Sequence, residues 1–395
     1  MQSTSDWRAA SQPGGAASRW VAVPAPEAPV PEQDQFPAFG YLALNRKGWG
    51  HLRAGAIPRP DDPFLPPDLV GRFGLRPGDY VDALAVAGRK GPIVEVVWRV
   101  NGHGPENLAG RPDFKRLVAI HPEEPIRLGY KPDAIPGRLL DLVAPVGRGQ
   151  RALIVAPPQA GKTTMLENIA KAAAVDPDLN LLVCLVGERP EEATALRRSI
   201  QGEVLVADLD APERAQIAVV DTAMAHARRL TEEGQHVVVL MDSLTRLARV
   251  HNLAARGGSR TLSGGIDASA LTPVRQVFGS ARTTEDAGSL TLIATCLIDT
   301  NSRLDQVVYE EFKGTGNMEV HLDRKLAQLG LFPAVNIARS STRREALLLD
   351  ETTLEQMTLV RRALTRMNDA EGLSVMLDVL RAYPDNHQAL DALLA

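Results

Sequence analysis

Cysteine is nearly absent: 395 residues hold two, Cys184 and Cys296, each inside an apolar run. That count excludes a disulfide framework and a zinc site, and both read as small buried hydrophobes. Aromatic residues make up only 4%, against 44% apolar and 23% charged, a balance foreign to fibres, coiled coils and wholly disordered chains. No apolar stretch has the length of a membrane span, and the N-terminus lacks the basic-then-apolar order of a secretory signal, so a cytoplasmic protein is expected. Bulk positive charge is missing too. The formal net charge of −4 argues against coating nucleic acid through charge alone.

What is present is length enough for two or three domains. Residues 1–35 have no hydrophobic period and are rich in Ala, Pro, Ser and Gln, as in a disordered tail. From Phe36 short apolar runs alternate with turns, the texture of about five antiparallel strands in an OB-type barrel over 36–118, with a helix near Pro67–Phe73. This segment carries 12 Lys+Arg against 8 Asp+Glu on a remainder of −8, which fits contact with phosphates and fits equally a solvated basic surface. Residues 119–138, with four prolines, read as a connector without regular structure. Beyond it, in 139–395, apolar strands without polar alternation (ALIVA, LLVCLV, VLVAD, HVVVLM, LTLIATCLI) alternate with amphipathic helices, predicting an α/β, RecA-like parallel sheet buried on both faces. Helical spacing from about Thr352 to Leu394 predicts helices that cap that sheet.

The strand ALIVA runs directly into Ala156-Pro-Pro-Gln-Ala-Gly-Lys-Thr163 and then a helix, the context a phosphate loop requires. Backbone N–H groups of Pro158-Gln159-Ala160-Gly161-Lys162-Thr163-Thr164 can wrap phosphates, excepting the proline; Lys162 can reach the β and γ positions, and the Thr163 hydroxyl can ligate Mg²⁺. Asp242, ending HVVVLM, points toward the crevice and can serve the metal, although a strand-terminal Asp taken singly is more often a helix N-cap. Glu188, in GERPEE at the tip of LLVCLV, is placed to polarise an attacking water. Glu191 and Glu192 are first-turn acids of a helix that Pro190 opens; Arg189 either reaches a neighbouring subunit or pairs with those acids. Two loops, 256–267 and 299–303, offer Arg260 and Arg303 to phosphates if subunits form a ring, and are mobile surface loops otherwise. In Gly48-Trp-Gly-His-Leu-Arg53, Trp49, His51 and Arg53 share one strand face, a stacking platform with a phosphate contact, and Phe64 is a candidate third ring; the alternative puts Trp49 in the barrel core.

The stretches PVGRGQRALIVAPPQAGKTT, GERPEE, MDSLTRLAR, LSGGIDASAL, ATCLIDTNSRLDQVVYEEFKGTGNMEVHLDR and RSSTRREALL resemble the family of bacterial transcription termination factor Rho, from about Phe36 to the C-terminus. The resemblance implies an RNA-dependent ATPase and helicase working as a homohexameric ring on single-stranded RNA with ATP and Mg²⁺, alongside RNA polymerase and elongation factors. It implies that Lys162 and Thr163 bind phosphates and Mg²⁺, Asp242 serves the metal, Glu188 activates water, Phe332 stacks on adenine, and Arg343 is offered to the neighbour's nucleotide. It further implies that Trp49, His51, Arg53, Asp62 and Phe64 form a primary RNA site. The loops 256–267, with Arg260, Leu262, Ser263 and Gly264, and 299–303, with Arg303, would line a central channel. Gln159 replaces the family's usual lysine, and His51 a common phenylalanine. A rotary ATP synthase subunit has a similar sheet, phosphate loop and GER motif, and a nucleic-acid-binding module with a dead ATPase is the third reading.

Overall fold

The computed structural model describes residues 26–32, 34–45, 47–200, 202–255, 261–262, 266–267 and 269–395. Most of the expected tail lies outside them. Strands β1 (Gln35–Leu44), β2 (Gly50–Arg53), β3 (Phe64–Leu65), β4 (Tyr80–Gly88) and β5 (Gly91–Val100) close into a barrel in the order β1-β2-β3-β5-β4. Helix α1 (Pro67–Phe73) sits between β3 and β4. Side chains of alternate strand residues fill the interior, among them Leu42, Leu52, Leu65, Val81, Ala83, Val94 and Val97. The neighbours of Leu52 on β2, His51 and Arg53, therefore face outward.

The connector is more regular than its prolines predict. It contributes β6 (Ala119–Ile120), β7 (Pro125–Ile126) and the start of α2 (Ile135–Val143). Pro125 opens a two-residue strand and Pro136 lies in the first turn of α2, two positions where a missing N–H costs little.

The second module follows as β8 (Val146–Gly147), β9 (Arg151–Ala156), α3 (Lys162–Val175), β10 (Leu179–Glu188), α4 (Pro190–Ser199), β11 (Glu203–Asp208), α5 (Glu213–Glu232), β12 (His236–Asp242) and α6 (Leu244–Ala254). A small hairpin, β13 (Thr261–Leu262) with β14 (Ile266–Asp267), precedes α7 (Leu271–Phe278), β15 (Arg282–Thr284), β16 (Ser289–Leu297) and α8 (Arg303–Lys313). Then come β17 (Met318–His321), α9 (Arg324–Gln328), β18 (Ser341–Thr342), α10 (Glu351–Leu364), α11 (Asp369–Ala382) and α12 (Asn386–Leu394). The main sheet runs β11-β10-β12-β16-β9-β17-β18, parallel except for β18, with β15 added antiparallel to β16 and β6 antiparallel to β15. Its strands are apolar on both faces because both are covered. Val238 and Leu240 pack with α2, α3 and α10–α12, whereas Val237, Val239 and Met241 pack with α5–α8, as do both cysteines. Burial pushes the Cys184 and Cys296 thiols up to about 12, so they behave as hydrophobes.

A buried ionic junction seats the barrel on the C-terminal end of α5. Arg111 donates to Asp79 of the barrel at 2.6 and 2.9 Å and to Glu233 at 2.9 Å. Asn101 donates to both acids, while Arg76 and Arg229 pair with Glu232 at 2.8 and 2.7 Å.

Candidate active site and nucleic-acid interface

Residues 157–161 join β9 to α3, and the turn closes with Gln159 and Gly161 at φ +66° and +89°. At Gly161, the N-cap of α3, glycine makes the left-handed conformation inexpensive, and an added Cβ would also lie 3.9 Å from the ring of Phe332. The N–H groups opening α3 have no intrahelical partner, so together with the positive end of the helix they make an anion cradle. Gln159 Oε1 accepts from Arg324 at 3.2 Å, a partner that no local signal announces.

Three strand tips converge on this loop. The Lys162 ammonium pairs with Asp242 Oδ2, and Thr295 Oγ1 donates to Asp242 Oδ1 at 2.8 Å. Asp242 does not cap α6. Ser243 does, accepting from Arg246 N at 3.1 Å, which leaves the aspartate to the site. Glu188 is buried, and its Oε1 accepts from Arg246 Nη2 and from Arg189 N, each at 3.3 Å. Its Oε2 is buried with no hydrogen-bond partner among the described residues. A register shift between Val186 and Glu188 at Gly187 (φ +62°) aims that carboxylate; a Cβ there would come within 3.0 Å of Gln216 Oε1. Burial, then the charge of Asp242, holds the Glu188 carboxyl above its ordinary range, while Arg246 and Lys162 pull it down.

Within MDSLTRLAR nothing local marks Arg246; the first turn of α6 carries it back to Glu188. Because a general base must be deprotonated, removing this cation raises the Glu188 pKa further and moves the acid limb of kcat to higher pH. Arg246→Gln is expected to show that upward shift in a pH–rate profile. An unmoved limb would show that the limb is not set by Glu188.

Arg189 is exposed and pairs with Glu192 at 3.4 Å within its own chain. Phe332 is 53% exposed and stands beside Gly161. Arg343 is not brought to this loop. It follows β18, whose Thr342 pairs with Met318 of β17, which in turn pairs with Ala152, at the end of β9 away from the phosphate loop. The strand from Ala152 to Ala156 spans roughly 13 Å, so Arg343 faces outward at the far edge of the sheet.

On the barrel, Trp49 is 45% exposed, which overturns the core alternative. Phe64 lies edge-on to both Trp49 and His51, with ring centroids 6.3 and 5.7 Å apart. Lys47, which sequence reasoning did not single out, sits 5.6 Å over the Trp49 ring. Arg53 approaches Asp62 at 4.0 Å, and Asp62 also accepts from Arg59 N at 2.9 Å. Arg260, Ser263 and Gly264 lie outside the described residues, and of Leu262 only the backbone in β13 is described. The stretch 299–303 has a structural duty the sequence did not reveal. Ser302 caps α8 by accepting from Asp305 N, and Thr300 Oγ1 donates to Asp305, leaving Arg303 exposed at the first helical position.

Residues 137–342 match the family described as ATP synthase alpha/beta family, nucleotide-binding domain. Among curated proteins, transcription termination factor Rho of Streptomyces coelicolor is 47% identical over 351 residues, 88% of this chain and 84% of that protein. The same factor of Aquifex aeolicus is 41% identical over 367 residues, 90% and 84% of the two. That of Chromobacterium violaceum is 41% identical over 364 residues, 90% and 87%. The chain belongs to the transcription termination factor Rho family. It is accordingly an ATP-hydrolysing transcription termination factor, and the rotary-synthase and dead-ATPase readings fall away. A solved ATPase of the type III secretion system of pathogenic bacteria matches with a TM-score of 0.60 at 21% identity, covering 78% of this chain and 92% of its own, a likeness of fold. Among the described residues no helix is long and apolar enough to cross a membrane.

Proposed function

We propose that this Rho-family chain is an RNA-stimulated ring ATPase that hydrolyses Mg²⁺·ATP at the β9–α3 loop and holds single-stranded RNA on the barrel. One juxtaposition carries the reading: the same chain has the buried Glu188 carboxylate, its Oε2 unpartnered among the described residues, within reach of the charges of the Lys162–Asp242 pair, and an open cluster of rings at Trp49, His51 and Phe64.

The loop amides and Lys162 hold the triphosphate, and Phe332 stacks on the base. Glu188, fixed through Oε1 by Arg246, uses Oε2 to orient the attacking water and take its proton. The residues suit Mg²⁺. Thr163 and Asp242 are hard oxygen donors, the Thr163 hydroxyl makes no hydrogen bond among the described residues, and no cluster of three or more His, Cys, Asp or Glu there forms an all-protein cage. Bound there, the cation supplies charge to the phosphate oxygens. Because Arg343 faces away from its own loop, it serves a neighbour's nucleotide in a homohexamer. The loops bearing Arg260 and Arg303 grip RNA in the central channel, the setting in which the factor acts on RNA polymerase complexes in the cytoplasm.

ATPase rates with and without poly(C) test the reading directly; equal rates would overturn it. Trp49→Ala removes a stacking surface worth about 1–3 kcal/mol per base, so RNA affinity should drop about five- to 150-fold while basal ATPase survives. Arg303→Ala should spare that affinity and lose RNA stimulation. If both variants lose both properties in equal proportion, a single continuous RNA surface replaces the two-site arrangement.

A further inference from the structure

The strand that carries the phosphate loop at one end is fastened at its other end to the segment that presents Arg343, and the fastener is Asn317. This residue lies between α8 and β17. Its backbone N–H donates to Arg151 O at 3.0 Å, and its Oδ1 accepts from Arg151 N at 2.8 Å, so it grips the first residue of β9 from both sides. Its carbonyl accepts from Arg343 N at 2.9 Å. Gln150 Nε2 donates to both oxygens of Asn317, at 3.0 and 2.9 Å, and Arg151 Nε donates to Thr315 O in the same turn at 3.2 Å. The backbone of Arg343 is thus tied through one residue to β9, whereas its side chain is exposed. No hydrogen bond or ion pair holds that guanidinium among the described residues, and the charge of Arg151 repels it. Its direction is set by the backbone to which it is attached. That backbone is held directly by Asn317 O, next to the β18–β17 pairing and the bond from Thr342 Oγ1 to Pro145 O.

We infer that Asn317, braced by Gln150, is a positioning residue for Arg343: it anchors the arginine that a subunit offers to the next subunit's nucleotide. This rests on the in-trans role of Arg343 proposed above. The consequence is specific. Loss of Asn317 harms the site next door and leaves the subunit's own phosphate loop competent. A residue needed only for the fold of its own subunit would harm its own site.

The test uses full-length protein and mixed rings. Asn317→Ala keeps the carbonyl that accepts from Arg343 N but releases the Oδ1 clamp on Arg151 N and Gln150 Nε2 that fixes this carbonyl. Alone it should lower kcat about tenfold with the KM for ATP little changed, because an arginine acting on transition-state charge contributes little to ground-state binding. Co-assembled with Lys162→Ala subunits at equal amounts, roughly a quarter of interfaces pair an intact phosphate loop with an intact Arg343, so activity should exceed that of either parent ring. Arg343→Ala mixed with Lys162→Ala is the control. Recovery in the control without recovery for Asn317→Ala overturns the positioning role alone; no recovery in the control overturns the in-trans arginine and the inference with it. If Asn317→Ala rings do not assemble, Gln150→Met, which removes the brace together with one bond to Gly147 N, is mixed in the same way, and its failure to complement would count against the inference equally.

Discussion

Glu188→Gln should bind ATP with near-normal affinity and hydrolyse it about 10²- to 10⁴-fold more slowly, the range expected when a positioned base is lost. The amide keeps the size of the side chain and can still meet Arg246, so the geometry around the loop survives. What it lacks is the ability to take a proton from water at the position of Oε2, the one oxygen of the pair that the protein leaves unpartnered among the described residues. Lys162→Ala is the contrast, because its ammonium acts on ground-state phosphates and its loss should abolish nucleotide binding itself. Equilibrium binding of a fluorescent ATP analogue, paired with single-turnover hydrolysis, separates the two defects. Near-normal turnover in the Glu188 variant would remove it from the catalytic residues.

Arg111→Ala should cost about 3–5 kcal/mol of stability, the loss typical when one partner of a buried ion pair is removed and the other is left uncompensated. Arg111 is almost wholly enclosed, and it is the cation that links Asp79 of the barrel to Glu233 at the end of α5. Arg76 and Arg229 still neutralise Glu232, so the damage concentrates on the other two acids. Burial already pushes Glu233 up to about 7, above its unfolded value, so its charged form is costly in the folded state and is offset by Arg111 and Asn101. Without Arg111 only the neutral donor Asn101 is left on that carboxylate. Loss of Arg111 lifts the Glu233 pKa further, so the variant should be least stable at alkaline pH and should recover part of its loss as pH falls and Glu233 takes up a proton. Urea denaturation at pH 8 and pH 5.5 measures both. A loss under about 1 kcal/mol at either pH would show that the barrel is seated by apolar contacts such as those of Tyr41 and Tyr80 around His226, and not by the ionic junction.

Much of the site was legible because its parts are local. A phosphate loop is a contiguous run between a strand and a helix, and the acids that serve it end apolar strands, so Lys162, Glu188 and Asp242 each announce themselves within a few residues. The ring cluster was legible for a similar reason: residues two apart on a strand share a face, which places Trp49 and His51 together, and the pairing of His51 with Phe64 then delivers the third ring. The connector was misread because prolines punctuate turns in sequence, while in the fold they occupy first-turn and strand-start positions. The strand β17 carries no apolar run, since MEVH is short and pairs with β9 on one side and only the two-residue β18 on the other.

The sequence alone determined the parallel sheet, the loop between β9 and α3 and the acids at its strand tips, because each rests on periodicity or on a motif read within one element. Tertiary structure alone decided which of two neighbouring residues caps α6, leaving Asp242 free and Ser243 as the cap. It alone decided that Arg246 holds Glu188, that Arg324 holds Gln159, that Arg111 seats the barrel on α5, and that Asn317 ties Arg343 to the start of β9. Apart from the α6 cap, these are hydrogen bonds between groups whose separation along the chain says nothing about their separation in space. Directional contacts of that kind exist only once the packing of apolar faces has fixed where each strand end and helix end lies.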